Sequence, residues 1–123
     1  MMKVRKVKIG IKDVETLLNE FGDAADSIEA GKKVKHERGV HFTSIQAFRK
    51  ALTQKRLELL HAIKTEHPSS LNHLARILQR DIKNVATDVR FLKQAGLIDT
   101  KKDGGKEISP QVRYDKILLE IAV

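Results

Sequence analysis

Apolar side chains recur along this chain with two periods, and an element ends wherever the period changes. Val7, Ile9 and Ile11 alternate with Lys6, Lys8 and Gly10. That period of two belongs to a strand with one buried face and predicts a strand over residues 3–11. Beyond Asp13, a natural helix cap, Val14, Leu17, Leu18, Phe21, Ala25 and Ile28 repeat at three and four residues until Gly31. The spacing predicts an amphipathic helix with one apolar stripe. The run GKKVKHERGVHF that follows has no helical period, and reads as a connector with room for a short strand.

From residue 43 the pattern is helical. Thr43 and Gln46 stand at capping-box spacing before a short helix that presents Ile45, Phe48 and Leu52 on one side. Thr53 can cap the next helix, with Leu57, Leu60 and Ile63 inward and Pro68 preventing continuation beyond His67. Ser70 caps a third, with Leu71, Leu74, Ala75 and Leu78 inward. Asp81 caps a fourth, whose buried stripe is Ile82, Val85, Ala86, Val89 and Leu92 and whose stop is Gly96. Only a tight turn separates the third helix from the fourth. Such a pair is a helix-turn-helix, in which the second helix is sized to enter the DNA major groove.

After Gly96, the stretches LIDTKK and KEISPQVRY flank Asp103-Gly104-Gly105, two extended arms around a strong hairpin turn. A hairpin directly after a recognition helix is a wing. The tail from Tyr114 alternates Ile117, Leu119, Ile121 and Val123 against Leu118, Glu120 and Ala122. A strand is favoured there over a helical turn, with the N-terminal strand as its partner, within one chain or between two.

With 123 residues there is material for one main core and a small appendage. The expected fold is α+β, mainly α: a winged helix-turn-helix over 43–113, an N-terminal strand-helix extension over 1–42 for dimerisation or partner binding, and a C-terminal strand over 114–123. Charge sharpens this picture. The net charge is +8, and residues 44–123 carry fifteen basic against nine acidic side chains, so most of the excess lies with the helix-turn-helix, as in nucleic-acid binders.

On a helical wheel of residues 82–95, Lys83, Asn84, Thr87, Phe91 and Gln94 fall opposite the apolar stripe, with Arg90 at its shoulder. Asn can pair with adenine, Lys can donate to guanine, and the Thr methyl can pack on thymine, so Lys83, Asn84, Thr87 and Arg90 are the candidate base readers. Ser70, Asn72 and His73 sit at a helix N-terminus, where backbone amides hold phosphate. Arg80 and Lys93, with Lys101, Lys102 and Lys106 of the wing, complete the candidate phosphate contacts. Asp88 would repel phosphate; its expected task is to orient a neighbouring Arg or Lys. Phe91, on the polar face, is expected to pack against the hairpin. The stripes Val7 and Ile9, Leu17, Leu18, Phe21 and Ile28, and Ile117, Leu119 and Ile121 exceed what a minimal winged helix buries and are the candidate dimer or partner surface.

Other chemistry finds no support in the residues. There is no cysteine, which removes disulfides, thiolate metal sites and cysteine nucleophiles and fits a reducing compartment. The five histidines, at 36, 41, 61, 67 and 73, are not paired at helical spacing, so no metal is expected. No Gly-rich phosphate loop, activated serine or clustered carboxylate pair is visible, and neither an enzyme nor a cofactor is expected. The basic start lacks an apolar run, and no 18-residue apolar stretch occurs, so no membrane association is expected and the location is taken as cytoplasmic, on the nucleoid.

From Lys55 to Lys106 the sequence resembles the winged helix-turn-helix regulators of the MarR-like superfamily, through LNHLARILQRDIKNVATDVRFLKQAGLI and the basic DGG hairpin. Over nearly its full length, including the strand-helix start and the YDKILLEI ending, it is similar to the DNA-binding antitoxins encoded beside TumE-type toxins. The resemblance implies a sequence-specific transcriptional repressor, homodimeric on an inverted repeat in its own promoter, with a toxin as a further partner. MarR-like proteins dimerise through long terminal helices, whereas the N-terminal helix expected here is short and preceded by a strand. Two other classes remain open at this stage, a winged-helix protein-interaction module without DNA binding and an RNA binder; the second is disfavoured by the small number of aromatic residues.

Overall fold

Among the described residues, three parallel strands and four helices with assigned bounds share one hydrophobic core, with a two-stranded hairpin on its flank. The computed structural model describes residues 5–12, 15, 19, 39–102 and 108–123. In chain order these form β1 (Lys6–Ile11), β2 (Gly39–Phe42), α1 (Ile45–Ala51), α2 (Gln54–Glu66), α3 (Leu71–Leu78), α4 (Ile82–Gln94), β3 (Asp99–Lys102), β4 (Ile108–Gln111) and β5 (Lys116–Ile121). The fold is α+β. Glu15 and Asn19 are helical; the remainder of the helix expected before Gly31, with Leu17, Leu18, Phe21 and Ile28, lies outside the described residues, as does Lys106.

β1 is the middle strand of a parallel sheet ordered β2-β1-β5. Its register sets Val7 beside Ile117 and Ile9 beside both Leu119 and Val40, so one face of the sheet is apolar across all three strands. The tail strand thus pairs with the N-terminal strand within the chain, and the connector supplies β2. Asp115 secures the start of this pairing. Its Oδ2 accepts the Arg5 backbone N–H at 2.9 Å and its Oδ1 pairs with Lys64 Nζ of α2 at 3.1 Å. The Arg5 amide and then the Lys64 ammonium hold this exposed carboxyl below the usual carboxylate range.

The helices are delimited by local hydrogen bonding. Thr53 Oγ1 accepts from Arg56 N, Ser70 Oγ from His73 N and Asp81 Oδ1 from Lys83 N, each satisfying an amide that the first helical turn leaves unpaired. At the first helix the expected cap shifts by one residue: Ser44, not Thr43, accepts from Ala47 N at 3.1 Å, so Thr43 and Gln46 do not form a capping box. α4 ends at Gly96, whose φ of 86° is open to glycine at little steric cost. Gly96 N donates to Lys93 O and Leu97 N to Leu92 O, closing the last turn. The stop of α3 uses the same bonds, Gln79 N to Arg76 O and Arg80 N to Ala75 O, around a glutamine at φ 53°.

Leu59, Ile63, Leu74, Val85, Leu92 and Leu97 are almost fully enclosed with Ile9 of β1. Three residues expected inside face solvent: Ile45, Leu57 and Ile82 are 46%, 43% and 38% exposed. In α2 the enclosed set is Leu59, Leu60, Ala62 and Ile63, rotated away from Leu57 because α3 and the strand Ile108–Gln111 pack against that side. Val7 and Ile9, assigned above to a partner surface, are core residues at 8% and 0% exposure, because the helices cover the very face of β1 that their alternation predicted would be buried. Ile117 is half-buried against the same core.

β3 and β4 pair antiparallel from Asp99 with Gln111 to Lys102 with Ile108. Ser109 Oγ donates to Pro68 O at 3.1 Å, tying the hairpin to the α2–α3 turn. Tyr114 lies beneath its base, where the hydroxyl donates to Leu97 O at 2.8 Å. Burial, reinforced by the Asp99 carboxylate, pushes the Tyr114 phenol well above its ordinary value.

Candidate nucleic-acid interface

The two faces of α4 are chemically opposite. Val85, Val89 and Leu92 are enclosed in the core, whereas Lys83, Asn84, Thr87, Arg90, Phe91, Lys93 and Gln94 are exposed. The four candidate base readers therefore all stand on solvent. Thr87 is rotationally held, since its Oγ1 donates to Lys83 O at 2.9 Å. An acceptor lone pair of the hydroxyl and the methyl remain available to a ligand.

What aims this face is a partly buried ionic clamp behind it. Asp88 Oδ1 accepts from Arg56 Nε of α2 at 3.2 Å and its Oδ2 from Arg80 Nη2 of the α3–α4 turn at 2.8 Å. These three side chains are only 15–20% exposed. Arg56 Nη1 also donates to Lys50 O and Ala51 O, and its guanidinium lies 4.1 Å above the ring of Phe91. One carboxylate thus connects α2, the turn and α4, and one arginine ties α4 to the end of α1. An arrangement of this kind fixes the rotation of α4 about its axis, because a planar guanidinium tolerates few orientations.

Asp88 orients arginines, as its position on a basic helix suggested. Arg56 reaches the Phe91 ring from the neighbouring helix and leaves it 38% exposed; the tip of the hairpin expected to pack there lies outside the described residues. Arg80 was expected to contact phosphate; it is instead paired with Asp88, its Nη1 buried and without a hydrogen-bond partner among the described residues. Ser70 is likewise not a phosphate contact: it is 7% exposed and its hydroxyl caps α3. His73 is half-buried with its Nδ1 accepting from Ser69 N at 3.1 Å. Asn72, Lys93, Lys101 and Lys102 are exposed.

Sequence reasoning passed over Arg56. The available signal was the conjunction of a Phe and an Asp on the polar side of a cationic helix, both of which a single arginine from a neighbouring element satisfies. Among the described residues no group of histidine and carboxylate side chains is arranged to hold a metal, and no helix is long and apolar enough to cross a membrane.

The sequence model of one protein family, HVO_A0114, matches residues 51–119, more than half of the chain. The chain belongs to the HVO_A0114 family. No curated protein matches it. The matched segment runs from the end of α1 to Leu119 in β5. Every residue of the clamp and of the exposed α4 face therefore lies within the part that defines this HVO_A0114 member, together with the hairpin and most of β5, whereas β1 and β2 lie outside it.

Proposed function

We propose that this protein is a winged-helix regulator that binds duplex DNA, reading base edges in the major groove with the exposed face of α4 and contacting phosphates with the hairpin. The observation that carries the proposal is a row of groove-competent side chains, Lys83, Asn84, Thr87 and Arg90, on a helix whose back is enclosed and whose rotation is held by Asp88, Arg56 and Arg80. A rigidly aimed set of this kind is what base readout requires. The row also carries two cations that no ion pair of the described residues engages, and Lys101 and Lys102 follow one short turn later on β3.

The protein would act as a homodimer on an inverted repeat, since one helix reads only a half-site. The likeness to antitoxins encoded beside TumE-type toxins extends the proposal to repression of its own promoter, with a toxin as protein partner. The test is a fluorescence-anisotropy titration against the DNA upstream of its own gene, a scrambled duplex and an RNA duplex, repeated over a range of salt. Tighter binding to the upstream DNA with a steep negative salt slope supports the proposal. Equal and weak affinity for all three probes sinks it.

A further inference from the structure

Among the described residues, the one long strand edge left open is that of β5, and its chemistry is self-complementary. Among the described residues β5 has a neighbour on one side only, β1. Lys12 N, at the end of β1, donates to Phe42 O of β2 at 2.9 Å, so the even positions of β1 face β2 and the odd ones face β5; with the parallel register of β1 and β5, Lys116, Leu118 and Glu120 direct their backbone groups toward β1. Ile117, Leu119 and Ile121 direct theirs toward the open edge. Leu118, Leu119 and Ile121 are 43%, 43% and 46% exposed. Natural sheets guard such an edge with like charges, proline or a bulge. β5 has none of these; its two charged residues have opposite signs.

We propose that a second copy of this chain pairs antiparallel with β5 across that edge, joining two three-stranded sheets into one of six. The residues whose backbone faces outward are all odd-numbered, so they must pair with one another, which leaves only registers in steps of two. Among these, charge selects one. Placing Leu118 opposite the partner's Leu118 sets Ile117 opposite the partner's Leu119 in a hydrogen-bonded pair and Lys116 opposite the partner's Glu120, twice over by the two-fold axis. Sliding by one step in either direction sets a leucine against a charge, and further steps bring like charges together. The selected pairs of Lys116 and the partner's Glu120 are non-hydrogen-bonded ones, in which side chains stand closest. Glu120 already has one oxygen on Lys8 at 2.8 Å, and a carboxylate accepts a second cation on its other oxygen.

The other sheet edge, β2, is four residues long and has no charge pair of opposite sign, so it offers no comparable register. Pairing through β5 deepens the dimer part of the functional reading above. Its test contains no DNA, so either can fail while the other stands.

Sedimentation equilibrium of the full chain at roughly 50 μM, well above a micromolar Kd, should give twice the 13.9 kDa monomer mass. Lys116→Glu faces the partner's Glu120 at both ends and should weaken the dimer about tenfold or more. The exchange of Lys116→Glu with Glu120→Lys, combined with Lys8→Glu so that the 2.8 Å pair within the chain keeps opposite signs, should restore it. Leu119→Pro removes an outward N–H without touching the β1 ladder and should yield a monomer that still unfolds cooperatively. A wild-type monomer at that concentration overturns the proposal, as does a dimer that neither Lys116→Glu nor Leu119→Pro weakens. Should the proline variant fail to fold, the charge exchange alone decides.

Discussion

Replacing Asp88 by alanine should be the most damaging single change on the surface of α4, and the structure says which partner suffers. The substitution strands two guanidiniums that are 17% and 20% exposed. Arg56 keeps two carbonyl acceptors and the Phe91 ring. Arg80 keeps no hydrogen-bond acceptor among the described residues, and its Nη1 has none to begin with. Removing one partner of a buried ion pair costs about 3–5 kcal/mol, and some solvent access here lowers that to roughly 2–4 kcal/mol. For a chain of this size the melting temperature should fall by about 10 °C, leaving the native state populated at room temperature. Urea unfolding followed by circular dichroism measures the loss. The decisive arm is Arg80→Met in the Asp88→Ala background. It removes the stranded charge and should recover a third or more of the lost stability, whereas Arg56→Met in that background should recover none. A loss below about 0.5 kcal/mol, the ordinary range for a surface substitution, or equal rescue by both arginine changes, would refute the clamp.

Further outcomes are expected from the same geometry. Lys83→Ala with Asn84→Ala should erase roughly 1–3 kcal/mol of preference per lost base contact, whereas Lys102→Ala should weaken all duplexes alike and lower the salt slope by about one; competition titrations with specific and scrambled DNA separate the two. Tyr114→Phe leaves the Leu97 carbonyl without its 2.8 Å donor and should cost about 1–2 kcal/mol in urea unfolding. Gln79→Gly relieves a left-handed residue at φ 53° and should stabilise by about 0.5–1 kcal/mol, visible as a higher melting temperature. The carboxyls of Asp115 and Glu120 are both held below their ordinary range, by the Arg5 amide and by Lys8 first among other causes. Depressed folded-state values mean that their stabilisation is present above the unfolded carboxylate range and is lost as pH falls through the folded values. Asp115→Asn should therefore flatten the acid limb of a stability-versus-pH curve below about pH 4 while leaving the neutral-to-alkaline side parallel to wild type.

Period and capping chemistry alone reach a long way into this protein. The strand at Lys6–Ile11, the four helices, the hairpin and the tail strand all follow from which positions are apolar and where Ser, Thr, Asp and Gly interrupt them. Those signals are local, and the bonds they specify, such as Thr53 to Arg56 N and Gly96 N to Lys93 O, span only a few residues. The outward face of α4 was legible for the same reason, since a helix fixes the angle between its own side chains.

Which elements cover one another was not legible, because that depends on contacts between residues far apart in sequence. Folding decided that Val7 and Ile9 go to the chain's own core, leaving Leu119 and Ile121 of the pairing strand exposed, although their alternation is indistinguishable. Neighbours supplied from a distance likewise decided that Leu59 and not Leu57 faces inward. Arg80, which in the sequence is one more cation beside a basic helix, meets Asp88 eight residues later, while Arg56 arrives at the same carboxylate across 32 positions. A charge is free to meet phosphate only when no buried opposite charge holds it, and that condition is set by tertiary packing.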